Sequence, residues 1–297
     1  MALSNRASIY NKLHKVLRKH YNPVAPQGGR SVLEQMLYAC CLENSHFNKA
    51  DAAYENVSKA FYDWNEVRVT TVAELLEIMA GLYDPAAAAT RVKKVLQNVF
   101  ESCYSFEIES LRKQNIGKAV KLLEKYGGTP FGVAYTTQHA LAGHSIPKDK
   151  GALQSLYIVG AISVAEGEAG QSPGLERTIA KSKGVDFASL LHQLAADFMK
   201  SPHAPAVRAI FLEITAGAKD RFPKRRSKKK PAPKTKTAAA KAEKKTTPPA
   251  KKSAVKKKTA KKPIAKSKPA ATKKKKSTTT KKKKDTTSRR ISKRKPK

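Results

Sequence analysis

The stretch best equipped for chemistry runs from Leu122 to Leu153, LLEKYGGTPFGVAYTTQHALAGHSIPKDKGAL, where a glycine-rich turn is followed by a lone acid, Asp149. Gly127 and Gly128 let the backbone turn tightly, Thr129 is suited to a helix N-cap and Pro130 to the first helical position. Amides left free where the second helix starts, through Phe131 and Gly132, would bind phosphate with help from the helix dipole and without a basic side chain. The same GGTP turn also serves as a plain connection between helices. Asp149 raises a parallel choice: a carboxylate that does chemistry beyond the clamp, or a cap for a helix starting at Lys150. Lys125, Lys148 and Lys150 lie nearby, and lysines beside such a site usually meet phosphates. His139 and His144 match no metal-ligand spacing and read as helix-face residues, so no metal site is expected.

These residues must be held by helices. Ile9, Leu13, Val16 and Leu17 recur at helical spacing until Pro23 and Pro26, and from Ser31 a second helix carries Val32, Leu33, Met36, Leu37, Cys40 and Cys41 on one face. A third helix is read from Asn48 to Trp64, a fourth from Thr71 to Gly81, and Asp84 followed by Pro85 opens another to about Tyr104. Short helices follow from Glu107 and Ile116. Beyond Asp149 the pattern recurs at Ala152 to Ile162, at Pro173 to Lys183 behind the cap Ser172, at Phe187 to Met199 and at Ala206 to Ile214. Glu166 to Gly174, EGEAGQSPG, has no following Lys-Ser/Thr pair and reads as a mobile connection rather than a nucleotide loop. Period-two alternation is absent, so the expectation is an all-α, two-lobed domain of about ten helices over residues 1–223.

The remaining 74 residues hold 34 Lys and Arg against two acids, Glu243 and Asp285, a net of +32 out of the whole chain's +37. Lys, Ala, Pro, Thr and Ser fill this segment, which is too poor in apolar surface to offset roughly 1–2 kcal/mol of ordering cost per residue. A disordered tail is expected, bound to nucleic acid through Lys224, Arg225, Arg226, Lys228, Lys229, Lys230 and those beyond, with RNA open as a partner beside DNA. The other 223 residues carry an ordinary charge and can bury roughly 70–75% of their unfolded surface. Cys40, Cys41 and Cys103 form no disulfide framework, and no apolar run reaches membrane length. A soluble, monomeric, intracellular protein with no membrane partner follows, associated with a nucleoid, or nuclear in a eukaryote.

The order of these pieces resembles the helix-hairpin-helix DNA glycosylase superfamily, which includes endonuclease III. YGGTPFG, the helix to Gly143 and the loop HSIPKD ending at Asp149 match the family's hairpin, helix and aspartate. LYACCLENSHFNKAD is similar to its second helix and the loop after it, and DWNEVRV to a segment of divergent members. The resemblance spans roughly residues 5–222 and implies duplex DNA binding through the hairpin. It also implies that Asp149 stabilises positive charge on the sugar and helps activate water, as in monofunctional glycosylases. Three departures bear on this. The lysine that forms an imine in bifunctional members is replaced by Phe131 or Gly132, no set of four cysteines exists for an iron-sulfur cluster, and the base-wedging glutamine falls on Cys41, with Asn44 as the available substitute. No cofactor is expected. The tail resembles the Lys/Ala/Pro tails of linker histones and histone-like bacterial proteins, which implies polyanion binding without sequence preference and leaves a nucleoid or chromatin compaction role as a further alternative.

Overall fold

The computed structural model describes residues 3–224, which include no strand; Arg225, Arg226, Lys228, Lys229, Lys230 and the rest of the basic tail lie outside the described residues. Thirteen α-helices form in the order α1 (Leu3–His20), α2 (Val32–Leu42), α3 (Phe47–Ala60), α4 (Trp64–Val69), α5 (Val72–Ile78), α6 (Pro85–Cys103), α7 (Ile116–Lys125) and α8 (Pro130–His139). The series continues through α9 (Lys150–Ile158), α10 (Val164–Glu168), α11 (Leu175–Thr178), α12 (Lys181–Lys200) and α13 (Pro205–Ile214). Two short 3-10 helices, Glu109–Lys113 and Ala216–Arg221, complete the set.

Local chemistry sets most of the starts. Ser31 and Thr71 each accept a hydrogen bond from the amide of a glutamate three residues on, and that glutamate's carboxylate accepts one from the cap's own amide. Asp84 caps α6 ahead of Pro85, and Thr129 caps α8 ahead of Pro130. Several boundaries differ from expectation: the helix read to Ile162 ends at Ile158, that read from Phe187 starts at Lys181, and the connection read from Glu166 begins inside α10. Two further differences have a clear local cause. The helix read from Asn48 to Trp64 breaks after Ala60, because the Asp63 side chain accepts the Glu66 amide and starts α4 afresh. Ser172 and Pro173 do not open a helix to Lys183; Gly174, at φ +80°, turns the chain into the four-residue α11, and α12 starts only at Lys181.

The helices bury two apolar cores. One lies among α2 to α8, with α2 at its centre and nearly every side chain of that helix buried. The second joins α1 to α9 and to α11 through α13, so the first helix of the chain completes the lobe formed by its last ones. Helix α8 packs on α2, and α9 packs on α12. Where the lobes meet, the His192 ring of α12 lies 5.6 Å from that of Phe131 on α8 and 5.0 Å from that of Phe47 on α3.

Candidate nucleic-acid interface

Helix α7 ends in a two-bond cap: the Gly128 amide donates to Leu123 O at 3.1 Å and the Gly127 amide to Glu124 O at 2.9 Å. Gly127 sits at φ +86°, where a side chain is strained, and a Cβ there would come within 2.8 Å of Asn98 Nδ2. The Gly132 amide is likewise taken, by Thr129 Oγ1 at 3.0 Å. Of the expected free amides, those of Thr129 and Phe131 are left without a backbone or side-chain acceptor among the described residues. The Thr129 hydroxyl in turn donates to Glu43 Oε2 at 2.8 Å, and Arg91 Nε stands 3.4 Å from that same carboxylate oxygen. The turn is therefore not a bare amide cradle: a carboxylate sits at its helix start.

Positive charge comes from lysines instead. The stem of Lys94 lies along Gly127, with its Cγ 3.1 Å from where a Cβ would be. On α7, Lys118, Lys121 and Lys125 are all exposed and fall within about 60° of arc, on the side away from the buried Ala119 and Leu123. Only Lys125 drew notice in the sequence; the three- and four-residue spacing of the others is the signal that marks the stripe.

The remaining residues proposed to touch DNA divide by exposure. Pro130, Lys150 and Lys224 are exposed, and Gly127, Gly128 and Thr129 are half-buried. Phe131 and Gly132 are buried, because helical periodicity turns them inward against Tyr135, His192 and Ala39, so neither the Phe131 ring nor the Gly132 α-carbon is presented to a duplex. Lys148 is held 3.4 Å from Glu176 with its side chain largely covered. Cys41, at the wedge position, is buried in the first core. Asn44 adopts φ +64°, and its backbone amide donates to Asp149 Oδ2 at 3.1 Å. An aromatic that sequence reasoning passed over stands close by: Tyr83 is 53% exposed, and its amide donates to Ser45 Oγ at 3.0 Å.

Asp149 is the N-cap of α9. Oδ1 accepts the Ala152 amide at 2.7 Å, Oδ2 accepts that of Asn44, and His192 Nδ1 stands 3.3 Å from Oδ2. The side chain has 0% exposure. Burial pushes the carboxyl's pKa up, but the His192 ring and the two amides outweigh it and leave the group below its ordinary 3.8. His192 Nε2 is 2.7 Å from Ser45 O, a carbonyl, so that nitrogen carries the donated hydrogen. His139 and His144, closer in sequence, do not reach Asp149: His144 Nε2 bonds Glu176 O at 2.7 Å, and burial pushes the His139 ring down to about 4, leaving it neutral. In this arrangement the carboxylate ties the α2–α3 loop to the start of α9 and to α12. Both oxygens are occupied.

Two hollows adjoin this joint. A cavity of about 60 Å³ between the lobes is walled by Tyr38, Phe47, Phe131, Tyr135, His139 and His192, with Asp51 and Arg30 at its edge. A wider cleft of about 660 Å³ runs between α8, α9 and α10 past Glu43, Lys148 and Lys150. Among the described residues no group of three or more His, Cys, Asp or Glu is placed to hold a metal, and no helix is long and apolar enough to cross a membrane.

No family model and no curated protein matches the chain. Among solved structures it is similar to the H. pylori 3-methyladenine DNA glycosylase MagIII bound to 1,N6-ethenoadenine, at 17% identity over 73% of this chain and 96% of that one, with a TM-score of 0.40.

Proposed function

We propose that the protein binds duplex DNA through the α7–α8 hairpin, with the basic tail adding attachment that ignores sequence. The observation that carries this reading is the lysine stripe Lys118, Lys121 and Lys125 running into a glycine turn flanked by Lys94. Each phosphate contact contributes about −0.9 to the slope of log affinity against log salt. Replacing the three stripe lysines with alanine in the full chain should make that slope shallower by about 2 to 3, whatever the tail contributes. An unchanged slope refutes the hairpin's role. On this reading the partner is double-stranded DNA, bound by a monomer on a nucleoid or chromatin.

A second reading, a monofunctional DNA N-glycosylase using Asp149, draws support from the aromatic cavity against His192, since stacking on an aromatic side chain is worth about 1–3 kcal/mol per base. It requires the His192 ring and the Asn44 loop to move off Asp149 and release an oxygen. Duplexes carrying a panel of damaged bases, incubated with wild type and with Asp149→Asn, test it: release from none of them by the wild type removes the reading. Borohydride trapping should yield no adduct, because neither Phe131 nor Gly132 can form an imine.

A further inference from the structure

Helix α1 contains no acid, whereas Arg6, Lys12, His14, Lys15, Arg18, Lys19 and His20 are spread along it. Arg6 is committed to Glu166 at 2.7 Å, and Lys19 and His20 to Glu213 at 2.6 and 2.7 Å. Lys12, Lys15 and Arg18 are exposed and have no ion-pair partner among the described residues. Their three-residue spacing puts them within about 120° of arc over about 9 Å of helix axis, while Tyr10, Leu13, Val16 and Leu17 are buried in the second core. Lys183 of α12 belongs to the same field. His14 is pushed below its ordinary value by burial and then by Arg18 and Lys183, against the opposing effect of Asp186.

This face lies across α12 from the hairpin helix α8. The His14 ring lies 5.5 Å from that of Phe187, and the Phe131 ring lies 5.6 Å from that of His192. Phe187 and His192 are five residues apart on α12, so they point about 140° apart around its axis. A helix about 10 Å across thus separates α1 from the hairpin helix.

We propose that Lys12, Lys15 and Arg18 form a second duplex-backbone surface, and that the protein bridges two DNA segments, one on this face and one on the hairpin. One strand of a duplex presents a charge per roughly 3.4 Å of axis, so the stripe spans about three phosphates of the nearer strand. The bridging half of the proposal rests on the hairpin reading.

The test uses the full chain on bead-bound duplex, with capture of a second, labelled duplex as the readout. Glutamine at all three positions keeps helix propensity while removing the charge. Capture should then fall by about five-fold or more while the protein stays on the beads, and the charge-preserving variant Lys12→Arg, Lys15→Arg, Arg18→Lys should restore it. Equal capture by wild type and the glutamine variant overturns the proposal, as does failure of the charge-preserving variant to restore capture. Weaker binding of polyglutamate with duplex capture intact would assign the face to acidic polypeptides and overturn it too. If the α7 alanine variant bridges normally while the α1 variant does not, the α1 surface stands and the hairpin reading fails.

Discussion

Replacing Asp149 with alanine removes three interactions at once. The Ala152 and Asn44 amides lose their acceptor, and His192 loses the carboxylate 3.3 Å away, all in a site closed to water. A hydrogen bond to a charged group is worth about 1.5–3 kcal/mol, so losing the acceptor of two buried amides costs about 3–6 kcal/mol. For a folded unit of this size each kcal/mol lowers the melting midpoint by roughly 2–4 °C, so a fall of roughly 6–24 °C is expected. The sign with pH follows from the carboxyl sitting below its ordinary 3.8: its contribution is present above that value and is lost as pH falls through the lower folded value. Urea unfolding at neutral pH should therefore show the full gap between wild type and Asp149→Ala. Near pH 3 the gap should narrow. Asp149→Asn should lose less, since it keeps one oxygen for the cap of α9. A neutral-pH difference under about 1 kcal/mol, or a gap that widens in acid, would refute the anchoring role. Unchanged stability with lost base release would make the carboxylate a reacting group instead.

Gly127→Ala should destabilise the protein by at least about 1–2 kcal/mol, from the left-handed backbone alone, before the contact with Asn98 is relieved; equilibrium denaturation reads this directly. A thiol reagent should modify one cysteine of three in the native protein, the exposed Cys103, and all three after denaturation. Cys40 and Cys41 are buried, and burial pushes the Cys40 thiol up to about 12, so little thiolate is available there.

Helix starts were legible in the sequence at Ser31, Thr71, Asp84, Thr129 and Asp149, which all cap helices over three residues, but not at Asp63 and Ser163, whose caps act over the same distance. The failures were local as well. Asp63 interrupted an apolar pattern that continued through it, and Gly174 overrode the signal of Ser172 and Pro173. What the chain order hides is which distant residue arrives beside a cap. Glu43 reaches Thr129 from 86 residues away and blunts the amide site; His192 reaches Asp149 from α12 and closes it, while His139 and His144, nearer in sequence, point elsewhere. Phe131 and Gly132 were read as DNA-facing residues at a helix start on the strength of a motif, but helix periodicity decided their burial.

Placing α1 in the lobe built by the chain's last helices has a consequence for synthesis. The first lobe, Val32 to Ala140, is contiguous and can close as soon as α8 has emerged. Tyr10, Leu13, Val16 and Leu17 must wait for Phe187 and Phe211, about 170 to 200 residues later, which at 5–20 residues per second is roughly 10 to 40 s. During that interval the apolar side of α1 has no partner, and the four Lys and Arg residues in its last nine positions are what keep it from associating with other nascent chains.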